Sequence, residues 1–163
     1  MSLDNVKAHF RSYNKEQDIL EFDTSSATVE LAAQAVGTIP ARIAKTLSFR
    51  NDDGGAILVV AAGDARIDNK KFREAFGYKA RMLTPEEVVH FTGHEIGGVC
   101  PFGLVQQLNV YLDVSMKRFD TVFPACGSLN SAIELTCEEM YQYSGGTSWV
   151  DVCKDWSADQ QSA

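Results

Sequence analysis

The sequence predicts an α+β fold: a curved, barrel-like sheet, mostly antiparallel or mixed, flanked by helices. Three observations carry this. Apolar residues alternate over about seven short runs of strand length. Five stretches with helical spacing have cap or stop signals at their ends. Neighbouring strands are joined by hairpin-like turns rather than by strict strand–helix–strand alternation, which argues against a doubly wound sheet. No internal repeat or linker is visible, so residues 1–156 read as one domain and 157–163 as a polar tail.

Leu3 to Tyr13 reads as a helix, because Leu3, Val6 and Phe10 recur at helical spacing. His9 on it is expected to face solvent. Ile19 to Phe22 is a short strand. Ser25, Ser26 or Thr28 can cap a second helix that runs to Val36, with Gly37 as its stop. Arg42 to Arg50 alternates as a strand and puts Lys45 on the same face as Ile43, Leu47 and Phe49. A lysine there either snorkels to the edge or is a cation held at the rim of a pocket. Asn51 to Gly55 is a hairpin turn, and the apolar run Ala56 to Ala62 is its partner strand.

Asp68 caps a helix through Phe76, which Gly77 ends. Lys79 to Leu83 is a short extended piece. Thr84-Pro85-Glu86-Glu87 is a capping box with proline at the first helical position, and that helix ends at Gly93. Leu108 to Asp113, Thr121 to Ala125 and Ala132 to Leu135 read as strands, with a turn or short helix at Ser115 to Phe119. Thr136 to Glu139 caps the last helix, which ends near Gly145, and Trp149 to Val152 is a final strand.

The apolar fraction of 45% and charged fraction of 23% are those of a globular domain. No apolar run reaches the length of a membrane span. Met1-Ser2-Leu3-Asp4 has no export-signal pattern. Cys100, Cys126, Cys137 and Cys153 form no CxxC pair, so reduced thiols and a cytoplasmic location are expected. The net charge of −7 argues against a protein that coats nucleic acid. It is unevenly spread. Residues 66–81 hold Arg66, Lys70, Lys71, Arg73, Lys79 and Arg81 against Asp68 and Glu74, a net of +4. Residues 138–163 hold five carboxylates against Lys154, a net of −4. The basic run is either a solvated helix face or a local contact surface.

Chemistry-bearing residues are few. His90 and His94 have the i, i+4 spacing of zinc ligands, but Gly93 breaks the helix between them and no third ligand is evident, so no metal or other cofactor is expected. Cys100 could be a nucleophile only if a base such as His94 were folded back onto it; a small side chain lining the loop is the alternative. Phosphate-loop, dinucleotide and nucleophile-elbow motifs are absent. What stands out is Gly97-Gly98-Val99-Cys100-Pro101-Phe102-Gly103, a loop of defined shape whose free N–H groups could hold carbonyl or phosphate oxygens. It is either that or a tight connection. Together with Lys45 it suits binding, or catalysis by positioning and oxyanion stabilisation.

Ala44-Lys45-Thr46-Leu47, then Gly93-x-x-x-Gly97-Gly98-Val99-Cys100-Pro101-Phe102-Gly103, then Asp113, then Gly127 with Ile133-Glu134-Leu135, follow in the order and spacing of the YbaK/ProX family. These are editing domains that occur free-standing or inserted in bacterial prolyl-tRNA synthetases. The resemblance runs from about Leu3 to Val152. It implies the same mixed fold and hydrolysis of the ester joining a wrong amino acid to the 3′ end of a tRNA, tRNA(Pro) foremost. By resemblance, Lys45 contacts the terminal adenosine or adjacent phosphate. Gly97, Gly98 and Pro101 belong to the GxxxP loop that holds the aminoacyl carbonyl and amine. Water, or a group on the substrate, makes the attack. Thr46, Val99, Cys100, Phe102, Gly103, Asp113, Gly127 and Asn130 are the implied substrate-pocket positions. Arg66, Lys70, Lys71 and Arg73 could touch the acceptor stem, and prolyl-tRNA synthetase is an implied partner. The alternative is a non-catalytic module of this fold that binds tRNA or a synthetase.

Overall fold

The computed structural model describes residues 2–157. Of the polar tail, only Ser157 falls within that range; the rest lies outside the described residues.

A hairpin builds the centre. Strand β2 (Ile43–Arg50) pairs antiparallel with β3 (Ala56–Ala62) along its whole length. Every residue of β3 is buried, as its unbroken apolar run requires when both faces are covered. β5 (Asn109–Asp113) runs parallel to β3, and β9 (Ser148–Val150) runs parallel to β5. On the other side β6 (Thr121–Pro124) runs parallel to β2 and carries β8 (Leu135–Thr136) antiparallel. The six strands make one curled, half-barrel sheet in the order β8-β6-β2-β3-β5-β9. It is mixed rather than mostly antiparallel, because three of its five pairings are parallel. Two short ribbons flank it: β1 (Leu20–Glu21) with β7 (Ser131–Ala132), and β4 (Arg66–Ile67) with β10 (Cys153–Lys154).

The helices fall where their end signals place them. They are α1 (Ser2–Arg11), α2 (Val29–Val36), α3 (Asn69–Phe76), α4 (Pro85–Thr92) and α5 (Cys137–Tyr143). Thr28 and Asp68 cap α2 and α3, and Thr84–Glu87 and Thr136–Glu139 form reciprocal capping boxes. Gly37, Gly77 and Gly93 end α2, α3 and α4 in the left-handed conformation. None of the helices of the described residues is long and apolar enough to cross a membrane.

Two local expectations change and one holds. The strand expected at Ala132 to Leu135 is two strands, because Ser131 and Ala132 pair with β1 while Leu135 and Thr136 pair with β6. Lys79 to Leu83 is the short extended piece expected, bridged to β2 between Met82 and Phe49. His9 does not face solvent: it is half-buried, bonds the Tyr143 carbonyl at 2.6 Å and lies 5.7 Å from the Phe102 ring.

α3 seals the hairpin through Phe72, which is fully buried with its ring 4.8 Å from Phe49 and 4.6 Å from Phe76. Phe72→Ala should cost about 3–5 kcal/mol of unfolding free energy. A fall in the urea midpoint with an unchanged slope checks this.

Candidate active site

The site begins with an edge that no strand covers. β2 pairs with β6 only at Ile43 and Ala44. Further along, the same edge is met by the bridging segment: Leu83 N–H donates to the Ser48 carbonyl at 3.2 Å, and Arg50 N–H donates to the Arg81 carbonyl at 2.8 Å. Backbone groups alternate between the two edges of a strand, so those of Thr46 face the same way as those of Ser48 and Arg50. Neither the N–H nor the C=O of Thr46 has a backbone partner among the described residues. Its Oγ1 is also buried without a hydrogen-bond partner. A buried hydroxyl left in that state costs about 1–3 kcal/mol.

This gap opens into a cleft of about 240 Å³. One wall is β2 itself, with Lys45, Thr46 and Leu47. Another is the segment from Ser26 to Val29 at the start of α2. The third is Ile96, Gly97 and Val99 of the glycine loop, with Val88 of α4 behind. Successive side chains on a strand point to opposite faces. A cleft that touches both Lys45 and Thr46 therefore sits over the edge of β2 rather than over one face.

Lys45 is half-buried. Its Nζ donates to the Gly63 carbonyl at 3.2 Å and to the Ala65 carbonyl, at the end of β3. It neither snorkels freely nor meets a carboxylate, and burial pushes its pKa down. An ammonium has three donors, so one remains without a partner among the described residues.

The glycine loop is held from behind. A Cβ on Gly98 would lie 2.8 Å from the backbone of Gly127 and Ser128, so only glycine lets the loop rest on that turn. Gly97, at φ +100°, is wedged against Leu129 and Ala27. His94 fixes the other end. It is fully buried, accepts at Nδ1 from the Ser2 hydroxyl, and donates from Nε2 to the Phe102 carbonyl at 2.8 Å. Burial pushes its pKa down, so the imidazole is neutral.

His94 is thus folded back onto Cys100, 3.6 Å from its sulfur. The thiol is fully buried, however, and burial pushes its pKa up to about 12, so the pair gives no thiolate. His90 is on the exposed surface and does not converge with His94. His94 was invisible as a loop anchor in the sequence, since its Ser2 partner lies 92 residues away.

Of the residues singled out in the sequence, Lys45, Thr46, Gly97 and Val99 line the cleft. The others do not line it. Gly98 backs the loop against the Gly127 turn. Cys100, Pro101 and Phe102 are buried, and Phe102 packs at a tilt against Phe10, ring centroids 4.7 Å apart. Gly103 abuts the Asn5 backbone. Asp113 is buried away from the cleft, accepting from the N–H groups of Ser115 and Val152 at 2.9 Å each. Asn130 is exposed and ties the Phe22 carbonyl at 2.9 Å. Arg66, Lys70 and Arg73 are exposed, while Lys71 is half-buried and donates to Asp151 and to the Cys153 carbonyl.

An aminoacyl-tRNA editing domain model matches residues 23–143. The Bacillus subtilis protein YwhH, uncharacterized, is 64% identical over 156 residues, which is 96% of this chain and 99% of YwhH. EbsC of Enterococcus faecalis, a candidate Cys-tRNA(Pro)/Cys-tRNA(Cys) deacylase, is 28% identical over 142 residues, with 86% and 85% of the two chains covered. A crystal structure of a candidate trans-editing enzyme for prolyl-tRNA synthetase superposes with a TM-score of 0.85 at 31% identity, covering 94% of this chain and 97% of the other.

The neutral anchor has a pH signature. The folded pKa of His94 lies below its ordinary value of 6.5, so the unfolded chain takes the proton first on acidification. This contribution to stability is whole above about pH 6.5 and is lost as pH falls from there through the folded pKa. The fall in urea midpoint between pH 7.5 and 5.5 should be smaller in His94→Asn than in the parent.

Proposed function

This chain belongs to the aminoacyl-tRNA editing domain family, and we propose that it is a free-standing deacylase that hydrolyses the ester of a mischarged tRNA, with tRNA(Pro) as the carrier. The cleft is the observation that carries this reading. It brings a fixed cation, an open strand edge and a glycine loop around one small volume, and its lining contains no His, Cys, Asp or Glu. Apart from Lys45, whose ammonium is engaged by two carbonyls, such a site has no side chain equipped as an activated nucleophile or general base. It is suited to hold an ester in place for attack by water or by a group on the substrate.

In this mechanism the free N–H of Lys45 takes an oxygen of the terminal adenosine or the adjacent phosphate. The backbone at Gly97 and Val99, the residues of that loop that line the cleft, holds the aminoacyl carbonyl and amine and stabilises the developing oxyanion, with Gly98 and Pro101 shaping the loop behind them. Water adds to the carbonyl carbon, the ester C–O bond breaks, and the ribose oxygen leaves with a proton. Free amino acid and uncharged tRNA result. Thr46 and Val99 line the pocket, Gly98, Cys100, Phe102, Gly103 and Gly127 hold the loop from behind, Asn130 fastens the neighbouring turn to Phe22, and Asp113 lies apart from the pocket. Exposed Arg66, Lys70 and Arg73 take the acceptor stem, while Lys71 stays with Asp151. Contact limited to the tRNA end accommodates a net charge of −7. Prolyl-tRNA synthetase as the supplier of substrate, and the cytoplasm as the place, follow from the same reading. It is supported by EbsC and by the trans-editing structure.

The test is hydrolysis of tRNA(Pro) charged with alanine, cysteine, serine or threonine. At least one should be cleaved. Lys45→Ala should lower that rate by about 100-fold or more, the scale on which lost oxyanion or positioning donors act. Cys100→Ser should retain activity. No turnover on any substrate, or full turnover without Lys45, would sink the reading, and tRNA binding without turnover would favour the non-catalytic module.

A further inference from the structure

The two carbonyls that hold Lys45 belong to one turn. Gly63, Asp64 and Ala65 join β3 to β4, and the turn closes where Ala65 N–H donates to the Ala62 carbonyl at 3.0 Å. Lys45 Nζ bonds the carbonyls on either side of Asp64. The Asp64 carboxylate is turned to Arg118 instead: Nη1 donates to Oδ2 at 2.9 Å and Nη2 to Oδ1 at 2.6 Å. The Arg118 side chain is only 3% exposed. Its guanidinium lies 4.9 Å from the centre of the Phe119 ring and 5.0 Å from that of Trp156, and its Nε donates to the Ser115 carbonyl at 2.8 Å. Ser115 in turn accepts the Ala62 N–H on its hydroxyl at 3.1 Å. The short helical turn Val114–Arg118 thus grips the end of β3 and the Asp64 turn together. On the other side a Cβ on Gly63 would lie 2.1 Å from the Pro40 carbonyl oxygen and 2.7 Å from Val29, a residue of the cleft wall.

Resting on the deacylase reading above, we propose that Arg118 is a positioning residue for Lys45, and that it acts by holding the Asp64 carboxylate away from the ammonium. Burial lowers the Lys45 pKa, and the Asp64 charge acts the other way, so the carboxylate lies within electrostatic reach of Nζ. Lys45 keeps one donor beyond its two carbonyls. A released Asp64 would take that donor, and a cation paired in this way no longer attracts phosphate or ester oxygens. A well-packed apolar side chain in place of Arg118 would fill the space between the two rings, since a buried ion pair is no better for stability than good packing. It would also set Asp64 free. Arginine suits the task, because its planar fork engages both carboxylate oxygens at once and its charge is permanent.

The experiment measures kcat/KM on a mischarged tRNA(Pro) that the parent cleaves, in variants whose urea midpoints show them folded under the assay conditions. Arg118→Met should lower it by about 10- to 100-fold, the scale on which a misplaced reacting group acts. Arg118→Lys keeps the charge but not the two-pronged grip, so it should lose activity to a smaller extent and serves where Arg118→Met does not fold. Adding Asp64→Asn to either variant should recover most of the loss, because the acid that competes for Lys45 is gone. In a Lys45→Ala background the Arg118 changes should lower the residual rate no further, which a merely structural role would not produce. Parent-like rates in both Arg118 variants, no recovery with Asp64→Asn, or equal losses with and without Lys45 overturn the proposal while leaving the deacylase reading intact. Absence of hydrolysis of every ester by the parent overturns both.

Discussion

Strand β2 changes neighbours halfway along its outer edge, and the cleft exists because of that change. β6 runs beside it for two residues and then turns away, since Ala125 bridges to Ala132 and Gly127 reverses the chain. The segment at Met82 and Leu83 arrives only opposite Phe49 and Ser48. Between these two contacts lies a window centred on Thr46. Sheets normally cover or pair such edges, because exposed N–H and C=O groups invite another strand. Here the window is roofed by the glycine loop and the start of α2, which leaves room for a small extended group and none for a strand.

Lys45 and Thr46 are neighbours in sequence and lie on opposite faces of the strand, yet both reach the cleft. The cation is costly to desolvate, and two carbonyls at the end of β3 offset that cost without neutralising the charge. A carboxylate in their place would satisfy the ammonium and remove its attraction for phosphate or ester oxygens. Carbonyl anchoring keeps the charge whole and its position fixed.

Much of this was legible in the sequence wherever the information is local. The capping boxes at Thr84 and Thr136, the stops at Gly37, Gly77 and Gly93, and the hairpin around Asn51 to Gly55 are written within a few residues each. Lys45 drew attention because it breaks an apolar alternation, and the glycine loop because of its composition. What could not be read depends on partners far along the chain. The split of the strand at Ala132 to Leu135 is decided by β1 and β6. The anchoring of His94 needs Ser2, and the inward turn of His9 needs Tyr143. The open edge at Thr46 needs knowledge of where β6 stops. A period-two pattern says which face a residue takes but not which edge is paired.

The glycine loop is held from behind by α1. His94 binds the loop to Ser2 at the start of α1, Phe102 packs on Phe10 further along the same helix, and a Cβ on Gly103 would strike the Asn5 backbone. The loop is therefore fastened to α1 on its far side, and its near side presents the backbone at Gly97 and the apolar side chains of Ile96 and Val99 to the cleft. That division explains why the thiol and imidazole lie behind the loop, desolvated and neutral, rather than in front of it. A reactive cysteine in front would attack any ester admitted, correct or not. On the deacylase reading, a loop that offers placed backbone and apolar side chains would make turnover depend on how the ester fits the cleft, so that selection and catalysis would draw on the same few contacts.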